Sequence, residues 1–274
     1  MLERLKYKNH INEVIDFGVN GIYVNTNELH DYEWTVTQKN NKIASLSYGV
    51  VKRSLPVIIM CSSVDEGIAA KNKLFEVAEK DVLAMQPGKI IVGNYYFQCY
   101  ITQSKKSDYL INKRYLKAEL TLISDRPYWI RETQYTFNTQ QASAEAAYLD
   151  YPFDYAFDYS NSSTAQKLNN TGFVKTSFKI IIYGACTNPK ITIGNHVYQV
   201  NAKVEAGELL TIDSTTKKIY LTAIDGTQTN KFNSRNKESY IFEKIKPGLN
   251  SVLWDGSFNF DIIVMEERSE PKWT

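Results

Sequence analysis

The sequence predicts a mainly β chain in two parts: a β-rich N-terminal part with one α-helix, and a C-terminal part built from strands. Three observations support this prediction. Tyrosine alone accounts for 19 of the 274 residues, a composition that favours strands and contact surfaces over helical bundles. Helical spacing occurs in one segment of the first half. Short apolar or alternating segments, separated by turn residues, fill most of the second half.

The first half contains several segments with the patterns of strands. Trp34–Gln38 alternates large and polar side chains, which predicts a half-buried strand. Leu55–Met60 is a nearly continuous apolar run, short enough for a strand of the core. Tyr95–Ile101 and Arg114–Ile123 are predicted to pair as a hairpin with one face buried, because the second segment alternates cleanly. The polar residues Gln103–Asp108 are expected to separate these two strands.

One helix is predicted over Asp65–Lys80. Ser63 and Glu66 have the spacing of a capping box, in which each side chain hydrogen-bonds a backbone N–H of the first turn. The turn Pro87-Gly88 follows the segment and ends it. The apolar side chains expected on the buried face of this helix are Leu74, Phe75 and Ala78.

The second half is predicted to be a β-sandwich or jelly roll. Its short strands recur at about the 8–12-residue spacing typical of that architecture. Turn dipeptides such as Asn188-Pro189 and Asp225-Gly226 lie between them, and no segment has the spacing of a helix. The predicted strands are Phe178–Tyr183, Lys190–Ile193, His196–Val200, Glu208–Ile212, Lys218–Thr222 and Phe258–Val264.

The boundary between the two parts is expected near residue 140. Gln140–Ala147 is low in complexity and in large side chains, which predicts a linker. The chain is therefore expected to divide into an N-terminal domain at 1–137, a linker with an aromatic arm at 138–160, and a C-terminal domain at 161–274.

The arm at Leu149–Tyr159 has a two-sided pattern. In an extended chain, Leu149 and five aromatic side chains would line one face, and Asp150, Asp154 and Asp158 would line the other. Two interpretations remain open: an arm packed against its own domain, or an aromatic platform for a ligand.

Charge and cysteine usage exclude several classes of protein. A net charge of +2, from 32 basic and 30 acidic side chains, provides no electrostatic basis for binding duplex DNA or anionic membranes. No apolar run approaches the roughly 20 residues that span a bilayer, and no secretory signal is expected. The separated Cys61, Cys99 and Cys186 indicate free thiols rather than a disulfide framework or a zinc site.

No pattern in the sequence indicates a catalytic residue, a metal site or a cofactor. The histidines are scattered, and neither a nucleophile elbow nor a dinucleotide fingerprint occurs. Gly88–Gly93 has the glycine spacing of a phosphate loop, but Asn94-Tyr95 replaces the required Lys-Ser/Thr. Instead, Gly93-Asn94 predicts the two-residue bend of a hairpin. The carboxylates that remain candidates for glycoside hydrolysis are Asp213, Asp225 and Asp261.

Short motifs spread over nearly the full chain carry a resemblance to a known family. In the first half they are Asp31–Trp34, Arg53–Val57, Glu79–Ala84, Gln86–Lys89, Tyr95-Tyr96 and Ser124–Trp129. In the second half they are Tyr183–Pro189, Ala206–Asp213, Gly248–Asn250 and Glu266–Trp273. In this order and spacing they resemble siphophage distal tail proteins, in the phage tail-component family of Gram-positive phages and prophages.

This resemblance implies a fold, a role and partners. The N-terminal domain would be a ring-forming β domain with one helix, and the C-terminal domain a galectin-like β-sandwich of jelly-roll type. Six copies would form a ring at the virion tail tip, between the tail tube protein and the tail-associated lysin or baseplate proteins, with DNA passing through the lumen. The protein would assemble in the host bacterial cytoplasm and would have no enzymatic activity, no cofactor, no specific nucleic-acid binding and no membrane insertion.

Large aromatic side chains are the residues expected at a subunit interface, because they supply contact area at low entropic cost. The candidates are Trp34, Tyr109 and Trp129.

Two functions of other classes remain open. A cell-wall carbohydrate-binding module is suggested by Trp254 and the aromatic arm, although the His/Asn/Arg set of sugar-binding galectins does not accompany Trp254. A glycosidase rests on the acidic residues alone.

Overall fold

The computed structural model describes residues 4–25, 27–107, 113–139 and 166–273. Strands make up 53% of the structure, with a single α-helix in the described ranges, which confirms the mainly β class. Two compact units are present: unit 1 comprises Met1–Arg131 and Glu267–Thr274, and unit 2 comprises Glu132–Glu266. Residues 267–274, which the sequence division assigns to the C-terminal domain, thus group with unit 1. Residues 140–160 of the predicted linker and arm lie outside the described residues.

Unit 1 is built from hairpins that precede and follow the helix. The bend predicted at Gly93-Asn94 is confirmed, because Val92 pairs with Tyr95 across it. A further strand, β10 (Trp129–Phe137), continues from unit 1 into unit 2. The preceding elements are β1 (Leu5–Lys8), β2 (Val14–Asp16), β3 (Ile22–Val24), β4 (Thr35–Lys39), β5 (Lys42–Ser47), β6 (Val51–Met60), α1 (Val64–Ala84), β7 (Gly88–Val92), β8 (Tyr95–Ser107) and β9 (Tyr115–Ser124).

Strand β8 belongs to two sheets of unit 1. Its first part, Tyr95–Cys99, pairs with β7, which pairs with β1, and β1 pairs with β2. Its second part, Tyr100–Ser107, pairs with β9. Strand β9 pairs in turn with β6 over ten consecutive residues, and β6 pairs with β3. The buried apolar side chains of β9 are the ones that its alternation predicts, namely Leu116, Ala118, Leu120 and Leu122.

The expectation that the polar residues after Ile101 end the strand is wrong, because β8 continues to Ser107. Cross-strand pairing explains the difference. Gln103 lies opposite Thr121 and Lys105 lies opposite Glu119, so polar side chains face polar side chains on the uncovered side of the sheet.

Helix α1 begins with the predicted cap. The Ser63 side chain accepts a hydrogen bond from the Glu66 backbone, and the Glu66 carboxylate accepts from the Ser63 backbone. The helix extends to Ala84 rather than to residue 80 and ends at Met85, whose φ of 51° is left-handed. No helix in the described ranges has the length and apolarity needed to cross a membrane.

The buried face of α1 differs from the prediction at one position. Leu74 and Ala78 are buried as expected, whereas Phe75 is 57% exposed. Successive helical residues are rotated by about 100°, so the residue after Leu74 points away from the face that Leu74 buries. The buried positions of the helix are Gly67, Ala70, Leu74, Val77, Ala78 and Asp81.

A buried carboxylate joins the end of α1 to strand β1. Asp81 is fully buried and accepts a hydrogen bond from the Tyr7 hydroxyl. The His10 backbone N–H donates to the same carboxylate at 2.9 Å, and the His10 ring nitrogen Nδ1 lies 2.5 Å from it. Burial, together with the hydrogen bond to Asp81, raises the pKa of Tyr7. Gly88 permits this approach, because a Cβ atom there would collide with both Asp81 and Tyr7.

Unit 2 consists of short strands, as predicted, and its described residues contain one turn of 3-10 helix at Phe232–Ser234 but no α-helix. All six predicted strands are present. The elements are β11 (Gln166–Asn170), β12 (Ser177–Tyr183), β13 (Cys186–Thr187), β14 (Lys190–Ile193), β15 (His196–Gln199), β16 (Lys203–Val204), β17 (Leu209–Asp213), β18 (Lys218–Thr222), β19 (Gln228–Asn230), β20 (Gly248–Leu253) and β21 (Phe260–Arg268).

Two antiparallel sheets of unit 2 enclose one hydrophobic core. One sheet has the order β21–β12–β17–β18–β19, and the other has the order β11–β20–β14–β15. Alternate side chains of β12, including Phe178 and Ile180, meet Leu168 of β11 and Ile191 of β14 in the same buried cluster. This arrangement is a β-sandwich.

The Asp81 network makes a testable contribution to the stability of unit 1. We expect Tyr7→Phe to lower the free energy of unfolding by about 1–3 kcal/mol, because one oxygen of a fully buried carboxylate loses its donor. Urea unfolding monitored by circular dichroism measures the change. Tyr23→Phe is the matched control, since Tyr23 is 41% exposed, and it should change the free energy by less than about 0.5 kcal/mol. Equal changes in the free energy of unfolding for the two variants would contradict a stabilising hydrogen bond between Tyr7 and Asp81.

Candidate interaction surface

The β4–β5 hairpin is the most exposed secondary structure of unit 1. Every residue of both strands is exposed to solvent, so nothing described covers either face. The prediction that Trp34–Gln38 forms a half-buried strand is therefore wrong, although the strand itself is present as β4. Asn40 and Asn41 connect the strands with φ angles of 52° and 57°, which is the type I′ turn that matches the twist of a hairpin.

Apolar side chains project from this hairpin. Val36 lies opposite Leu46 across the two strands, and they are 47% and 54% exposed. Ile43 is 67% exposed. An isolated two-stranded hairpin is marginally stable in water, and a group of exposed aliphatic side chains marks an interaction site. The hairpin is therefore a candidate contact element.

An aromatic cluster anchors the base of the hairpin. Trp34 precedes β4 and stacks on Tyr48, which follows β5, with ring centroids 4.2 Å apart. Tyr48 makes an edge contact with Tyr128 at 5.2 Å. Since Tyr128 adjoins the strand β10, these rings hold both ends of the hairpin against the body of unit 1.

The three predicted interface residues lie in different environments. Trp34 is partly exposed at the base of the hairpin. Trp129 is fully buried in the core of unit 1, and its indole N–H donates to the Leu29 carbonyl at 3.1 Å. Tyr109 lies outside the described residues. Their place at a subunit interface stays a prediction. The sequence signal that the prediction missed is Asn40-Asn41, a turn dipeptide between two alternating segments.

Each of the three candidate glycosidase carboxylates accepts a hydrogen bond from another group of unit 2. Asp213 accepts a hydrogen bond from the Thr215 backbone at 2.8 Å, and Asp225 accepts one from the Thr227 backbone at 2.8 Å. Strand β12 separates the strands that carry Asp213 and Asp261, and these residues pair with Lys179 and Ile181 of β12, which places them about 12 Å apart. No group of three or more His, Cys, Asp or Glu side chains within the described ranges could hold a metal ion.

Trp254 is partly buried and packs against the core of the sandwich. Its ring lies 5.2 Å from Phe260 and 5.8 Å from Phe137, and its indole N–H donates to the Phe258 carbonyl at 3.2 Å. The side chain that suggested a carbohydrate platform therefore packs against the hydrophobic interior of unit 2.

The cysteines are free thiols, as predicted. Cys99 is fully buried, and burial raises its pKa to about 12. Burial also raises the pKa of Cys186, to about 11, and that of the half-buried Cys61. These environments favour the neutral thiol over the reactive thiolate.

The described architecture is shared with hub proteins of phage tails. No family model and no curated protein matches the chain, but solved structures do. One is SPP1 Dit, described as a paradigm of hub adsorption apparatus in phages that infect Gram-positive bacteria. It matches with a TM-score of 0.58 and 10% sequence identity over 98% of this chain and 100% of that chain.

Two further structures come from the baseplate of phage P2 in its activated conformation. The calcium form matches with a TM-score of 0.67 and 13% identity, and the strontium form with 0.64 and 12%; each match covers 99% of this chain and 100% of the other. At these identities the likeness shows a shared fold. It confirms the fold class that the resemblance to siphophage distal tail proteins implies.

A short hydrogen bond in unit 2 has a measurable consequence. The Tyr183 hydroxyl donates to Asp261 at 2.5 Å, and this bond, together with burial, raises the pKa of Tyr183 to about 12. Because the neutral phenol is the form that donates, its stabilising effect is present below the ordinary tyrosine pKa of about 10 and is lost as the pH rises through 12.

We expect Asp261→Asn to bring the pKa of Tyr183 back toward about 10, because the charged acceptor is removed. Tyrosine-labelled NMR spectra, assigned with Tyr183→Phe and recorded between pH 8 and 12.5, measure the titration. Asp225→Asn is the control and should leave this resonance unchanged. A Tyr183 that titrates near 10 in the unsubstituted protein would contradict the hydrogen bond.

Proposed function

We propose that this chain is a structural distal tail protein that forms a homo-hexameric ring at the tip of a phage tail. The ring joins the tail tube protein to the tail-associated lysin or baseplate proteins, and DNA passes through its lumen. The observation that carries this proposal is the full-length likeness of the chain to SPP1 Dit and to the phage P2 baseplate chains. A likeness that includes both units supports a common role better than a shared single domain would.

The exposed hairpin supports assembly into a ring. A ring requires one surface of each subunit to contact a different surface of the next. The β4–β5 hairpin supplies such a surface, since Val36, Ile43 and Leu46 are exposed and uncovered. We infer that these side chains pack on the neighbouring subunit and that Trp34, at the base of the hairpin, contributes to the same contact.

A structural role also agrees with the chemistry of the chain. The candidate carboxylates make local hydrogen bonds, and the cysteines favour their neutral form. A net charge of +2 over 274 residues provides little attraction for a nucleic acid that has to slide past the protein. We therefore assign the protein no enzymatic activity, place it at the virion tail tip and expect its assembly in the host bacterial cytoplasm.

Light scattering coupled to size-exclusion chromatography tests the ring. At high protein concentration we expect a mass six times that of the 31.4 kDa chain, and with the tail tube and baseplate partners added we expect a complex that contains six copies of this chain. Ile43→Lys combined with Leu46→Lys should reduce the hexamer to smaller species, because burying unpaired charges at each contact costs about 2 kcal/mol or more.

Ile224→Lys is the matched control for this experiment. Ile224 is 80% exposed in unit 2, so a lysine there should leave the hexamer intact, as one of the two hairpin substitutions made alone should not. If the unsubstituted protein stays monomeric under all of these conditions, the proposed ring is wrong. Saturable binding of the monomer to cell-wall glycan would then favour the carbohydrate-binding alternative.

A further inference from the structure

A second uncovered apolar surface of unit 1 is a groove between helix α1 and the far end of β8. The groove has a volume of about 500 Å³, within the range of protein binding pockets. Leu74 and Leu120 are buried in its wall, whereas Phe75 is 57% exposed. The residues that line this α1–β8 groove are Lys71, Leu74, Phe75, Ala78, Glu79, Val82, Ile101, Thr102, Gln103, Ser104, Lys106, Leu116 and Leu120.

The strand beside the groove has an open edge. Tyr100–Ser107 of β8 pairs with β9 on one side, and no strand among the described residues pairs with its other side. Thr102–Ser107 is exposed at every residue. The unpaired N–H and C=O groups of such an edge are available to a strand of another chain.

The β4–β5 hairpin has one apolar face because its pairing contains a bulge. Val36 lies opposite Leu46, and Gln38 lies opposite Ile43. The register shifts between these two pairs, so β5 contains one extra residue there. Val36 and Gln38 are two residues apart and share a face of β4, and each cross-strand partner lies on the same face. Val36, Ile43 and Leu46 therefore form a single aliphatic face.

The groove has a basic end and an acidic end. The Lys71 ammonium donates to the Lys113 carbonyl at 2.8 Å and lies, with Lys106, at the end of the β8–β9 hairpin. Glu79 lines the groove about two helical turns further along α1. The charge of the lining thus changes from positive to negative along the helix.

The β4–β5 hairpin has charged ends of its own. Its tip is basic, because Lys39 lies opposite Lys42 beside the turn. Its base is acidic, because the exposed Asp31 and Glu33 precede β4. The two surfaces are complementary in charge when the hairpin tip lies at the acidic end of the groove and the base lies at the basic end.

We propose that the α1–β8 groove of one subunit is the binding site for the β4–β5 hairpin of the next subunit. This inference rests on the proposed ring, in which each subunit contacts its neighbour through two different surfaces. The occupant is a second copy, because the hairpin is exposed at every residue in the chain that carries the groove. Strand β5 and the exposed end of β8 are each six residues long, so the two can lie side by side over about 20 Å.

Site-specific photo-cross-linking of the full chain tests the contact. p-Benzoylphenylalanine replaces the exposed Phe75, and this protein is mixed at low concentration with nitrogen-15-labelled, unsubstituted protein. The mixture is concentrated and irradiated, and mass spectrometry maps the attached peptides. We expect labelled peptides from residues 35–47 on the substituted chain. Attachments that map elsewhere, or none in an assembly with the mass of a hexamer, would overturn the inference.

Light scattering on the same sample separates this inference from the proposed ring. A hexamer whose cross-links fall outside residues 35–47 supports the ring and contradicts the groove as its contact. Cross-links to residues 35–47 without a hexamer support the contact and contradict the ring. A monomer without cross-links contradicts both.

Charge exchange tests the orientation of the hairpin in the groove. Glu79→Lys should lower the yield of this cross-link by about threefold or more, because attraction of the lysines at the tip becomes repulsion. Lys39→Glu together with Lys42→Glu should restore the yield in the Glu79→Lys background. Glu76→Lys is the matched control, since Glu76 is exposed on the same helix outside the groove lining, and it should leave the yield unchanged. A yield that ignores the sign of the charge at position 79 would contradict the placement of the tip.

Discussion

The ten-residue antiparallel pairing of β6 with β9 is the interaction on which unit 1 depends. It places the buried side chains of both strands on one face, and it leaves polar and apolar side chains partly or fully exposed on the other. The hydrogen bonds of Asp81 with Tyr7 and His10 fix the C-terminal end of the helix against the β1 region.

Unit 1 thus combines a closed core with two surfaces that remain uncovered. The core buries Trp129, Leu120 and their neighbours completely. Outside it, the β4–β5 hairpin exposes aliphatic side chains on both of its strands, which the Asn40-Asn41 turn connects. Exposed aliphatic surface of this kind favours contact with other chains. It is the physical basis for the proposed role in a tail hub.

Unit 2 has one hydrophobic core of its own. Its two sheets enclose a core to which Trp254 contributes, and its aspartates make local hydrogen bonds at turns and strand ends. A sandwich of this kind supports many functions, and the fold by itself selects none. Trp254, on which the carbohydrate-binding hypothesis partly depends, is partly buried and packs against this core.

The sequence by itself determined the elements whose signals are local. The capping box at Ser63 placed the start of α1, the alternation of β9 identified its buried face, and Gly93-Asn94 located a hairpin bend. The order of short motifs also indicated the fold class that the solved structures share. These features depend on residues near one another in the chain, so their patterns are readable without the fold.

Tertiary structure alone decided which of these faces are covered. The alternation of Trp34–Gln38 indicates a strand, but not whether another layer lies on it, and no element in the described part of the chain does. Phe75 has helical spacing with the core residues, yet the rotation of α1 points it to solvent. The buried contact of Tyr7 with Asp81 joins residues 74 positions apart, so no local pattern could signal it. Burial depends on the packing of distant segments, and a local sequence pattern specifies only the periodicity along one of them.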